Sequence, residues 1–483
     1  AVFCPTITED TGENPHIIYV DSNSRTLRHA EPSNQMDFAI WRRGTITGVG
    51  SGNWTSLGPV TGFSFDDQTA LQDVVYEYGV ASQIGSQTGP MGTDTGFASS
   101  PEWVIETIDG GNSDAGKYAS MISAGDGLHI TYQEDGNTLK YLFYPSTGSV
   151  AGASESLTTG PRTVDGGSNH SGRFADIAIR PYMPFSLGER VLHITHHCSF
   201  GDDPAHFWRP LTGGPWNSST DFICNDGIPS QQYPSVAVGL DGVPHSAAYG
   251  GENDLYHIWA THDPSDGSWD WSESVEVDSE GDTGELSSSV IAKDGTIRIA
   301  YQSDTFGIKY AHGILNSTQD QWDWTISTVD PSGDTGAQSV GAEHCRPSIA
   351  LDSQGDPHIL YCVRPDLWHA AGSWTGSGWT WDLETVDQGR NNSNRVGDYP
   401  SLVWSSASGL HASYHDGDNE SLKYAHGSET GNAGWAWSTE IVDAPQGITT
   451  GTNTSIAIHD GSVYIAYHDE SNGDLKLAHR TLP

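Results

Sequence analysis

Residues able to do acid–base chemistry gather in one stretch of this chain. Asn169-His170-Ser171-Gly172-Arg173 sets an imidazole and a guanidinium just ahead of a predicted strand, and the next strand ends His196-His197-Cys198. A long loop, Ser199 to His206, follows, and Tyr233 stands before the first strand of the next unit. Two histidines beside a tyrosine and an arginine supply a proton acceptor, a proton donor and a charge clamp. His170, His197, Tyr233 and Arg173 are therefore read as catalytic, with Arg346 as a further cation. Successive strand residues face opposite sides, so only one of His196 and His197 reaches a shared site. A His170–His197 pair would also suit a metal ion, whose identity and ligand set the sequence leaves unknown.

What must position these residues is a repeat. Eight copies of a His-Ile-x-Tyr pattern run through the chain: His16–Tyr19, His129–Tyr132, His193–His196, His245–Tyr249 (one residue longer), Arg298–Tyr301, His358–Tyr361, His411–Tyr414 and Tyr464–Tyr467. From the second copy onward they recur at intervals of roughly 50 to 65 residues, a spacing that signals a solenoid, propeller or array. All end in Tyr except the third, which ends in His196.

Around the sixth copy a full unit is visible. Pro347–Leu351 is a first strand of small residues, Asp352–Asp356 a turn, His358–Tyr361 a second strand, Leu367–Ala370 part of a third, and Trp379–Val386 an aromatic fourth strand closed by Asp387. A sheet narrow at one edge and bulky at the other is a propeller blade. The fold class is all-β: a single β-propeller over 1–483, with eight blades (alternative seven) of four antiparallel strands. Residues 32–102 break the repeat and are expected to hold an insertion, a decayed blade or the closing strand.

In a propeller, ligands sit at the mouth of the axis, where two residue rings face. Before the first strands stand Cys4, Tyr118, Phe174, Tyr233, Ser287, Arg346, Tyr399 and Asn453. After the second strands stand Val20, Gln133, His197, Gly250, Gln302, Cys362, His415 and His468. Neither ring repeats, so one asymmetric site is expected rather than a pocket per blade. His196, Tyr118, Tyr301, Tyr399, His415 and Arg395 are read as substrate-binding. The repeat histidines His16, His129, His358 and His411 are read as structural.

Composition narrows the function. A net charge of −41 over 483 residues excludes nucleic acid as a partner and favours a soluble monomer. No apolar run is long enough to span a bilayer. The chain begins at Ala1, and Asn-x-Ser/Thr sequons occur at Asn53, Asn169, Asn217, Asn316, Asn391, Asn419 and Asn453; both suggest a secreted, extracellular glycoprotein. Of five cysteines, Cys345 and Cys362 flank a predicted hairpin and suit a disulfide. Asp/Gly turns such as Asp202-Asp203 leave room for a bound Ca2+, without EF-hand spacing.

The blade repeat and the His/Tyr/Arg sector resemble the β-propeller polysaccharide lyases, a group that includes ulvan lyases and a fungal L-rhamnose-α-1,4-D-glucuronate lyase. The resemblance implies β-elimination at a uronic acid in an anionic polysaccharide, with no cofactor required. It sets His170, His197 and Tyr233 around the uronate and gives its carboxylate to Arg173 or Arg346. The chain departs from the group at Gly250 and Gln302, where a further arginine would be expected. Two other readings compete. A glycoside hydrolase needs a carboxylate pair, and a non-catalytic lectin would put sugars on the Trp-rich outer strands.

Overall fold

The structure is a computed structural model. The described residues are the strands of 2–97 with Trp54 and Met91, and 102–482 apart from 112, 137, 147–161, 166–171, 182–188, 199–202, 220–231, 266, 317, 319–320, 333–344, 364, 390–394 and 431–433. Among them there is no α-helix, and none long and apolar enough to cross a membrane. The chain divides into two compact units, 1–102 and 103–482.

In the first unit, Val2–Glu9, Pro15–Asp21, Thr26–Ala30 and Ser64–Asp66 form a four-stranded sheet around the first repeat. A second sheet is built from Asp37–Gly44, Thr55–Thr61, Val75–Ile84, Gln87–Thr88 and Gly92–Phe97. The non-repeating stretch 32–102 thus supplies this second sheet and the fourth strand of the first.

The second unit carries repeats two to eight, each folded as one antiparallel sheet, and its blades are numbered here by repeat. First strands are Ala115–Ser123, Arg173–Ile179, Gln232–Val238, Thr283–Ile291, Ser348–Leu351, Val396–Ser405 and Thr450–His459. They contact one another in cyclic order, the last returning to the first. All eight repeats therefore fold as blade-type sheets, and the seven within 103–482 follow one another in cyclic order. Blade 8 takes its fourth strand from Val104–Asp109, which pairs with Asp474–Thr481. The closing strand lies just beyond the non-repeating stretch.

A girdle of hydrogen bonds runs around the axis. In every blade one first-strand side chain accepts the backbone N–H of the next: Ser120 from Ile177, Asp176 from Val236, Ser235 from Ser289, Ser288 from Ile349, Ser348 from Leu402, Ser401 from Ile456 and Ser455 from Met121, at 2.8–3.4 Å. Neighbouring strands too close for large side chains thereby satisfy backbone donors that their own ladders leave over. Six positions are serine and one is Asp176.

Each first strand but that of blade 6 bulges. Tyr118, Phe174, Tyr233, Leu286, Tyr399 and Asn453 sit at φ of 49–55°, where the register shifts. The bulge turns these side chains toward the mouth. In blade 5 it falls on Leu286, one residue before the expected Ser287. The approach to the preceding blade is close: a Cβ on Gly451 would lie 2.5 Å from Leu422 Cα, and one on Gly284 2.7 Å from Leu255 Cα.

The repeat residues hold blade to blade. The second-strand tyrosine donates to the aspartate closing the preceding blade's fourth strand: Tyr132 to Asp109, Tyr301 to Asp278, Tyr361 to Asp330, Tyr414 to Asp387 and Tyr467 to Asp443. A third-strand lysine joins three of these aspartates, Lys309 on Asp278, Lys423 on Asp387 and Lys476 on Asp443. The repeat histidines bond across to the third strand, His129 to Tyr141, His193 to His206, His245 to His257, His358 to His369 and His411 to Tyr424. Outer-strand tryptophans pack on the previous blade, as with Trp322 against His245 and His257 and Trp435 against His358 and His369. They pack between blades.

Candidate functional site

A cavity of about 330 Å³ opens at the mouth of the ring. Its wall comes from the first strands of blades 2, 3, 5, 6, 7 and 8 and the residues just before that of blade 6, with His468 from the second strand of blade 8 and Glu470 from the turn after it. Tyr118, Phe174, Arg346 and Tyr399 all line it, as do Lys117, Asp176 and Asn453. The bulges aim these side chains inward, and blade 6, which lacks one, contributes the arginine.

Arg346 is the most informative of them. Its Nε donates to Ser287 O at 2.9 Å, and a terminal nitrogen lies 3.9 Å from Asp176 Oδ2, across the ring. A quarter of the side chain remains exposed. Desolvation lowers its pKa and Asp176 opposes that shift, so the guanidinium remains a cation. Asp176 is itself fixed, accepting from Ser120 Oγ at 2.8 Å and from Val236 N at 3.0 Å. A carboxylate in a ring of serines, facing an arginine, gives the axis its chemical polarity. Sequence reasoning passed over Asp176, although aligning the first strands two residues beyond the aromatic ring exposes it.

Tyr118 and Phe174 pack at 4.7 Å between ring centroids, and Phe174 meets Tyr233 edge-to-face at 4.5 Å. An aromatic arc thus leads from the cavity toward the third-repeat sector. Tyr233 does not line the cavity. Arg173 and His197 are register partners on adjacent strands of blade 3, so their side chains share one face. Arg173 is half-buried and His197 buried. His170, Asp202 and the side chains of Cys4, Val20 and Asp203 lie outside the described residues, and Asp203 opens the third strand of blade 3.

Four of the residues expected to contact substrate have side-chain partners within the protein. Tyr301 is fully buried in the interblade staple to Asp278. His196 is fully buried, stacks on Phe207 and accepts the Gly172 N–H on Nδ1 at 3.1 Å. Blade 3 departs from the staple there, since His196 replaces the tyrosine and Ala205 stands opposite it where Lys140 stands opposite Tyr132; the imidazole ties down the bulge instead. His415 donates from Nδ1 to Thr450 O at 2.9 Å, a clamp on the next blade that Gln302 repeats on Cys345 O. Arg395 is held by Asp398 at 2.6 Å. Tyr399 keeps its place on the wall, but burial and nearby Asp398 push its hydroxyl well above the usual range, which suits a hydrogen-bond donor and not a base. Cys345 and Cys362 are both buried and not joined in a disulfide.

No family model matches the sequence, and no curated protein matches it. Among solved structures the chain is similar to AofleA from Arthrobotrys oligospora, at 10% identity over 71% of this chain and 90% of that one, TM-score 0.42. It is similar to a PL25 ulvan lyase bound to -[GlcA(1-4)Rha3S]-, a polysaccharide lyase of the kind the sequence resembles, at 13% identity over 77% and 93%, TM-score 0.42. It is also similar to the leech intramolecular trans-sialidase in complex with 2,7-anhydro-Neu5Ac, at 9% identity over 100% and 98%, TM-score 0.42. The fold itself rests on the seven cyclically ordered sheets and the closed girdle.

Proposed function

We propose that the axial cavity binds a uronic acid residue of an anionic polysaccharide outside the cell, and that the protein cleaves the chain there by β-elimination. The observation that carries this reading is Arg346, a partly exposed cation on the wall of the axial cavity in a chain of net charge −41. Against that background a fixed guanidinium is a local site for a carboxylate.

The chemistry follows from the charge. Removing the C5 proton of a uronate builds negative charge beside a carboxylate, and Arg346 offsets it as the enolate-like state develops. A base takes that proton; the C4–O bond breaks, the C4=C5 bond forms, and the leaving oxygen takes a proton. The aromatic arc directs the sugar chain from Arg346 across Phe174 to Tyr233, with His197 and Arg173 in the same blade as Phe174 as candidates for acid and base. Tyr118 and Tyr399 act as walls and donors. The reaction needs neither a redox cofactor nor an enzyme nucleophile.

The test is absorbance of the conjugated C4=C5 product on a panel of uronate polysaccharides. Arg346→Ala should lower turnover by about 100-fold or more, and Tyr233→Phe or His197→Ala should remove it if either is base or acid. One observation favours a second reading. Asp176 and Glu470 are the carboxylates on the cavity wall, the minimum a glycoside hydrolase requires. New reducing ends without the absorbance, lost in Asp176→Asn or Glu470→Gln, would transfer the assignment to hydrolysis. Neither signal, with retention on an immobilised polysaccharide, would make the cavity a binding site only.

A further inference from the structure

Beside the cavity, blades 6 and 7 bring together three groups of metal-binding chemistry. Cys345 precedes the first strand of blade 6, Cys362 ends its second strand, and Asp398 lies in the bulge of blade 7. Their ligand atoms all lie within 4.8 Å of one another, and the residues are 1%, 3% and 5% exposed. Cys345 Sγ points at Asp398 Oδ1 (3.7 Å) and Cys362 Sγ at Gly397 O (3.1 Å).

The combination is specific to this junction. Cys345 and Asp398 occupy the register position that elsewhere holds Lys117, Arg173, Gln232, Glu285 and Thr452, polar residues beside the bulge. Cys362 occupies the position after the second-strand repeat pattern that in the other blades of 103–482 holds Gln133, His197, Gly250, Gln302, His415 and His468. Two thiols and a carboxylate therefore converge where other blades use ordinary hydrogen bonds.

We infer that Cys345, Cys362 and Asp398 form a binding site for a zinc-class divalent cation. Two thiolates and one carboxylate suit a soft-to-borderline ion in tetrahedral coordination. Charge also balances. Two thiolates and Asp398 carry three negative charges, and the metal with Arg395, 2.6 Å from Asp398, carries three positive ones. A buried assembly that sums to zero avoids the cost of an uncompensated charge. The fourth position falls to water. On binding, two S–H bonds break, two protons leave to solvent and two metal–sulfur bonds form. The consequence is positional: Cys345 adjoins Arg346 and Asp398 adjoins Tyr399, so one ion would pin two walls of the cavity.

The experiment is a titration of the full-length protein, stripped with reductant and chelator, with Co2+ and then Zn2+. One equivalent of Co2+ should bring up a near-ultraviolet sulfur-to-cobalt charge-transfer band and intense tetrahedral visible bands. Zn2+ should erase them, with two protons released per metal in weakly buffered solution. Cys345→Ser and Cys362→Ser should abolish the charge-transfer band, and Asp398→Asn should weaken cobalt binding by about 10-fold or more; circular dichroism checks that each variant folds. The inference is overturned if the wild-type protein gives no such band while both thiols remain open to alkylation after denaturation. It is equally overturned if the native mass is two hydrogens short, which marks a disulfide. Cobalt binding is read without any substrate, so failure of the lyase reading leaves this result standing.

Discussion

At the scale of single residues, the molecule separates repetition from exception. The second-strand tyrosine recurs because its hydroxyl reaches the aspartate of the blade before, and Tyr301 belongs to that set. Tyr301→Phe should lower unfolding free energy by about 1–3 kcal/mol, the cost of leaving buried Asp278 one donor short, and should leave turnover on polysaccharide unchanged. Denaturant titration beside the absorbance assay checks both halves; loss of activity at full stability would return Tyr301 to the site. His196 invites the opposite error. It breaks the repeat, yet its imidazole serves the backbone of its own blade. A departure from a repeat marks a change of partner, and only the partner tells whether the change is catalytic.

At the scale of elements, the first strands carry the design. Their bulges turn large side chains into the mouth while the serine girdle closes the ring beneath. Asp176→Ser restores the girdle's common residue, so folding should hold within about 1 kcal/mol, while Arg346 loses its partner at 3.9 Å and turnover falls. Thermal melting and the absorbance assay on one sample distinguish positioning from stability. Gly451→Ala should be far worse for folding. It puts a Cβ at φ +83° and within 2.5 Å of Leu422 Cα, an outcome of about 2 kcal/mol or more that denaturant titration reads directly. Paired second- and third-strand elements also set a pH response. Burial lowers His193 to about 3 and His206 well below its usual value. Each is neutral when folded, so its contribution is full above pH 6.5 and is lost as the pH falls toward 3. At pH 5 that amounts to about 2 kcal/mol per imidazole. Glu285 has the opposite sign. Burial, then Asp304 and Asp282, raise it to about 7, so its contribution is present below pH 4.5 and lost as pH rises through 7. Unfolding curves from pH 5 to 8 should show a loss of stability on the acid side that His206→Phe reduces, and Glu285→Gln should improve stability above pH 7.

At the scale of the whole molecule, the ring is completed by hydrogen bonds between Val104–Asp109 and Asp474–Thr481, nearly four hundred residues apart in sequence. All seven ring sheets are then contained within 103–482. A protein of 103–482 should fold cooperatively, whereas one beginning at 111 exposes the edge of Asp474–Thr481 and should melt lower and aggregate. Scanning calorimetry with light scattering compares the two. Failure of the longer piece to fold would mean that the first unit is needed for the second.

The sequence by itself determined the blade. Small first strands, a His-x-x-Tyr second strand, Leu-Lys third strands and Trp-rich fourth strands are local patterns of period two, legible because each strand's burial is written in its own residues. It also pointed to the mouth, and Tyr118, Arg346 and Tyr399 line the cavity there. Ring size, the place of the closing strand and the separation of residues 1–102 were decided only in three dimensions, because closure depends on the accumulated angle between sheets and on pairing between distant segments. The same holds for Asp176 with Arg346 and for Cys345 and Cys362 with Asp398. No spacing announces those groups, because the residues meet only when blades far apart in the chain turn their first strands toward one axis or lie side by side in the ring.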